Sequence, residues 1–175
     1  ELGAVSVTDF SVILEDGEVD TVVEVMGGLE PAFDYITAAM RAGKNIVTAN
    51  KQLLAARYDE LTALAWETGV GFRSSAAVGG GIPWLPNLQR LKRIGAVNEV
   101  CGIMNGTTNY ILSMMHKKGY DYESVLRDAQ SFGYAEADPT ADIEGLDVQR
   151  KLLLSANIAF DTSLTEQQVP AAGIA

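Results

Sequence analysis

The chain has 175 residues, of which 47% are hydrophobic, 21% charged and 7% aromatic. This globular composition excludes wholesale disorder and leaves room for one sizeable core, or for one domain with part of another. Thirteen Lys and Arg against 23 Asp and Glu give a formal net charge of −10, a field that repels phosphate backbones and argues against nucleic-acid binding.

No apolar run approaches the roughly 20 residues of a membrane-spanning helix, and no basic n-region marks a signal peptide. The lone cysteine, Cys101, has no internal disulfide partner and reads as a buried apolar residue. With a single histidine, His116, it falls short of an all-His/Cys zinc site. A cytoplasmic location is the expectation. A first residue of Glu rather than Met reads as processing or a fragment.

In chain order, residues 19–26 are β-branched and mostly apolar, as in a buried strand of a parallel sheet. Gly27-Gly28 ends that strand, Pro31 suits the first turn of a helix, and Gly43 stops it. Residues 44–48 form a second strand, and Ala49-Asn50-Lys51 the turn into a second helix that Gly69 closes. Residues 70–77 return to strand. This β-α-β-α-β order predicts a doubly wound α/β sheet. A nucleotide-binding half of this kind opens with a strand and a GxGxxG turn. None precedes residue 27, so the chain reads as starting partway through such a domain. Beyond a glycine-rich loop at 79–83, the pattern predicts helices over 83–93, about 110–115, 122–132 and 145–160, with a strand over 97–104.

Five carboxylates fall between Glu136 and Asp147, and Lys151 follows. Asp147 and Lys151 are four apart, so on a helix they share a face. An exposed ion pair is the plain alternative. The apolar Leu152-Leu153-Leu154 beside the lysine and the convergence of Glu136, Asp138 and Asp142 on the helix start argue for more. A lysine among carboxylates can exchange a proton at a carbonyl or alcohol, and the carboxylates can bind an ammonium group. Thr48-Ala49-Asn50-Lys51 stands after a strand, where open α/β sheets bind ligands. There Lys51 could reach a phosphate or substrate oxygen, or could simply be solvated. Gly27-Gly28 permits close approach of a cofactor or serves as a plain turn. Asn105-Gly106-Thr107-Thr108-Asn109 supplies donors and acceptors, with helix capping as the simplest reading.

Four motifs, Thr48-Ala49-Asn50-Lys51, Val78-Gly79-Gly80-Gly81-Ile82-Pro83, the Asn105–Leu112 run and Gly133 to Lys151, resemble homoserine dehydrogenase in order and spacing. The resemblance implies the second half of a Rossmann-type nucleotide-binding domain over residues 1–74. A catalytic and dimerisation domain, a sheet covered by helices, would follow over 75–175. It further implies NAD or NADP as cofactor, a homodimer, and interconversion of L-homoserine and L-aspartate 4-semialdehyde. By motif, Lys151 would be the acid/base residue with Asp147 beside it. Glu136 and Asp142 would bind substrate, Lys51 would lie between cofactor and substrate, and Gly27 would lie against the cofactor. The family carries Glu where Ser75 stands here, at an alkali-cation site. A sodium ion would be left with Ser75 and backbone oxygens of Val78, Gly80 and Ile82. A non-catalytic ligand-binding module on the same fold is the competing reading.

Overall fold

The computed structural model describes residues 5–174, which divide into two compact units between Trp84 and Leu85. In the first, a short helix α1 (Ser11–Glu15) precedes strand β1 (Thr21–Glu24), helix α2 (Ala32–Arg41), strand β2 (Asn45–Thr48), helix α3 (Lys51–Thr68) and strand β3 (Phe72–Arg73). The three strands form one parallel sheet in the order β1-β2-β3, with Val22 opposite Ile46 and Ile46 opposite Phe72. This is the alternating order expected from the pattern. The strands are shorter than the apolar runs that announce them. Val25 and Met26 leave the sheet and are exposed, and after β3 the chain tightens into a 3₁₀ turn at Ser75–Ala77.

Ile36 and Met40 on α2, Ile46 on β2, and Leu53, Leu54 and Leu61 on α3 are fully buried and make the core of this unit. Asn50 caps α3 by accepting the Leu53 N–H at 3.1 Å, and Gly69 ends it in the left-handed conformation. Lys44 is buried at the start of β2, where its ammonium donates to the carbonyls of Asp16 and Val19 at 2.7 and 2.8 Å. Those two acceptors replace water around the charge and tie the segment before β1 to the sheet.

The second unit is helical: α4 (Trp84–Ile94), α5 (Gly106–Lys118), α6 (Tyr122–Ser131), α7 (Thr140–Ile143) and α8 (Leu146–Phe160). Ile111 on α5 packs with Val125 and Ala129 on α6 and with Ala135, flanked by Tyr110, Met114, Met115 and Leu126. Residues Leu153 to Ala159 of α8 are buried without interruption, so the helix lies inside the unit rather than along its surface. Arg150 pairs with Glu166 at 2.9 Å, and Gln149 Nε2 donates to the carbonyls of Glu166 and Val169, holding the following segment to α8.

Two expectations are corrected here. The strand predicted over 97–104 has no ladder among the described residues, and this unit contains no sheet among them. Its β-branched residues Val97, Val100 and Ile103, spaced three apart rather than alternating, meet no partner strand among the described residues, and Ile103 is 79% exposed; a strand without a ladder leaves its backbone groups to water. Cys101 lies in the same segment and is exposed rather than buried.

Candidate functional site

The carboxyl ends of β1, β2 and β3 form the edge at which open parallel sheets receive ligands. Glu24, the last residue of β1, is buried there. Its Oε2 accepts the Thr48 hydroxyl at 2.6 Å; its Oε1 accepts the N–H groups of Met26 at 2.7 Å and Gly27 at 3.3 Å, and Asn50 Nδ2 at 3.4 Å. Asn50 Nδ2 also donates to the Gly28 carbonyl at 2.7 Å. One carboxylate therefore gathers both strand ends, the α3 cap and the glycine turn. Gly27 and Gly28 have φ of 78° and 74°, a conformation that only glycine adopts readily. Lys51 is the first residue of α3. Glu24 was not singled out from sequence, although a carboxylate in an otherwise β-branched strand is the signal that marks it.

In the second unit the carboxylate-rich segment closes on the start of α8. Lys151 Nζ meets Asp147 Oδ2 at 2.6 Å and donates to the Met104 carbonyl at 2.7 Å, with side-chain exposures of 18% for the lysine and 10% for the aspartate. The i,i+4 spacing thus delivers a largely dehydrated pair rather than a surface ion pair. Asn105 Nδ2 donates to Asp142 Oδ1 at 2.6 Å and to Asp147 Oδ2 at 2.9 Å, bringing both aspartates into one network with Lys151. Asn105 also caps α5, its Oδ1 accepting the Thr108 N–H at 2.8 Å.

A cavity of about 210 Å³ adjoins Asp142, with Thr108, Gly145, Gln149 and Val169 among its walls. Glu136 is exposed, and its carbonyl accepts from Gln130 Nε2 at 3.2 Å. Asp138 turns back on Thr140, whose hydroxyl and then amide N–H hold the Asp138 carboxyl below its ordinary value. Asp142, Asp147 and Lys151 are therefore assembled, whereas Glu136 and Asp138 are not drawn into the network by these bonds. The sequence offers the Asn105–Asn109 turn as donors and acceptors or as a helix cap, but does not direct Asn105 to the two aspartates and does not announce the Met104 carbonyl.

At the glycine-rich loop Val78 is buried, and Gly79 and Gly80 have φ of 84° and 58°. Ile82 N–H donates to the Gly79 carbonyl at 3.0 Å, and the Ile82 carbonyl accepts the Trp84 N–H at 2.7 Å. Among the described residues no three His, Cys, Asp or Glu side chains cluster as metal ligands, and no helix is long and apolar enough to cross a membrane.

A parallel βαβαβ half with a glycine turn at its ligand edge places the first unit in the class of nucleotide-binding α/β folds. Comparison with known proteins is more specific. Residues 83–175 match the family described as homoserine dehydrogenase, and residues 3–74 match its NAD-binding domain. The homoserine dehydrogenase of Bacillus subtilis (strain 168) is 43% identical over 162 residues, which are 93% of this chain and 37% of that protein. The crystal structure of a homoserine dehydrogenase from Thiobacillus denitrificans superposes with a TM-score of 0.90 at 43% identity, covering 95% of this chain and 39% of that one. A hyperthermophilic archaeal homoserine dehydrogenase in complex with NADPH gives a TM-score of 0.84 at 26% identity, covering 98% of this chain and 52% of that one. The chain belongs to the homoserine dehydrogenase family. It spans well under half the length of the curated relatives that it matches.

Proposed function

We propose that this chain supplies the proton-transfer centre and part of the NAD(P)-binding domain of a homoserine dehydrogenase. That enzyme interconverts L-homoserine and L-aspartate 4-semialdehyde on the route to threonine, isoleucine and methionine. The observation that carries this reading is the network of Lys151, Asp147, Asn105 and Asp142 at the start of α8. Residues 1–74 would form the partial nucleotide-binding domain and residues 75–175 the catalytic and dimerisation domain.

Oxidation of the primary alcohol removes a hydride from the carbon and a proton from the oxygen. A bound nicotinamide supplies the hydride acceptor. In its amine form, Lys151 takes the hydroxyl proton; in the reverse direction its ammonium returns that proton to the developing alkoxide. Asp147 holds the nitrogen in place by the contact at 2.6 Å, and the Met104 carbonyl fixes a second N–H direction. Glu136 and Asp142 offer carboxylates for the substrate ammonium. Lys51 and Gly27, at the ligand edge of the sheet, suit the nicotinamide cofactor and the substrate beside it. The NADPH held by the archaeal relative supports NADP as well as NAD.

The donors at the 75–82 loop are all neutral: Ser75 and the backbone oxygens of Val78, Gly80 and Ile82, with the Ile82 carbonyl already engaged by Trp84 N–H. Such a set fits at most a weakly held sodium ion, and no step depends on it. We propose a homodimer that works in the cytoplasm on a small-molecule substrate, without nucleic acid or membrane. The exposed Cys101 thiol favours a reducing compartment.

The test is Lys151→Ala in the full-length protein. With general acid–base catalysis removed, kcat for homoserine oxidation should fall by about 10²- to 10⁴-fold while the cofactor KM holds. Turnover retained in this variant would remove the lysine from the reaction.

A further inference from the structure

We infer that Asn105 is a positioning residue for the proton-transfer centre, setting Asp142 and Asp147 in register with Lys151; the inference rests on the function proposed above. Its amide is fixed from both ends. Oδ1 accepts from the Thr108 N–H at 2.8 Å and from the Thr108 hydroxyl at 3.0 Å. Nδ2 gives one N–H to Asp142 at 2.6 Å and the other to Asp147 at 2.9 Å. Turning the amide over would set its oxygen against two carboxylates and its NH₂ group against the Thr108 backbone N–H, so only one orientation satisfies the site.

Asn105 is itself 5% exposed, and its backbone is anchored as the residue that opens α5. The amide therefore carries the rigid start of α5 to two carboxylates that lie 37 and 42 residues further along the chain. Asp147 Oδ2 receives both this amide and the Lys151 ammonium. The place of that one oxygen decides where the reacting nitrogen sits. Without donors between them, two carboxylates this close repel each other and the register is lost.

A residue that merely caps α5 and one that positions the carboxylates respond differently to substitution. Aspartate has the same shape and caps as well as asparagine, but it has no N–H and adds a third carboxylate. Serine also caps and adds no charge, but it is too short to bridge Asp142 and Asp147. Asn105→Asp and Asn105→Ser are therefore compared with wild type and Lys151→Ala in the full-length protein, by homoserine-dependent cofactor reduction and thermal unfolding.

The inference expects kcat to fall about 100-fold or more in either variant at temperatures where unfolding shows it folded, with cofactor KM near wild type. Both variants retaining kcat within about threefold of wild type, while Lys151→Ala is inactive, would overturn this inference alone and leave Asn105 a cap. Wild-type protein that fails to oxidise homoserine would overturn the proposed function and this inference with it.

Discussion

Asp147 Oδ2 meets a lysine ammonium at 2.6 Å and an asparagine amide at 2.9 Å, so two donors on different elements fix one carboxylate oxygen. Half of this arrangement follows from local spacing: Asp147 and Lys151 stand four positions apart, and helical geometry does the rest. The other half, Asn105, is a tertiary contact with no periodicity to announce it. Its sequence signature, a polar turn before a helix, describes only the end of the side chain that caps.

A simpler cap gives a pH prediction. The Ser124 amide N–H, and after it the Ser124 hydroxyl, hold the Asp121 carboxyl below its ordinary value. The folded value lies below the unfolded one, so this group stabilises the fold above about pH 4, and the contribution disappears as pH falls through the folded value. Thermal unfolding between about pH 6 and pH 3 should therefore decline less in Asp121→Asn than in wild type, since Asn caps without titrating. Equal declines would place the acid sensitivity elsewhere.

Among the elements, helices are the most faithful to sequence. Gly69 ends α3 where the glycine signal sets the stop, and α8 occupies nearly the whole of the apolar run. Strands depart further because a strand is completed by its neighbour. Residues 70–77 yield only Phe72–Arg73 at the edge of the sheet, and residues 97–104 stay unladdered despite a β-branched pattern.

The turn that introduces α8 shows an element under tighter constraint. Gly145 has φ of 79°, and a Cβ there would stand 2.9 Å from the Ala172 carbonyl oxygen. Gly145→Ala thus combines a left-handed backbone with a clash against main chain. It should destabilise the second unit by about 2 kcal/mol, read as a lower denaturant midpoint. Because Asp142 and Asp147 flank this turn, kcat should fall as well. An unchanged midpoint would show that the 171–173 segment gives way freely.

At the scale of the molecule, each unit carries its own polar cluster. The first gathers a glycine turn, Asn50 and Lys51 at the carboxyl edge of a parallel sheet through the buried Glu24. The second assembles a lysine, two aspartates and an asparagine in a hydrogen-bonded network in which Asn105 and Asp147 are buried. The α/β order of the first unit was readable from alternating strand and helix patterns. The helical character of the second was partly hidden, since apolar residues near 97–104 look the same whether or not a partner strand receives them.

Family membership rests on matches that run through both units, and the dehydrogenase activity proposed above follows from it. The most direct measurement is homoserine-dependent reduction of NAD and of NADP by the full-length protein, followed by nicotinamide absorbance. Reduction is expected to require L-homoserine and to saturate with at least one of the two cofactors. Folded protein that reduces neither cofactor over a wide range of homoserine concentration would contradict it.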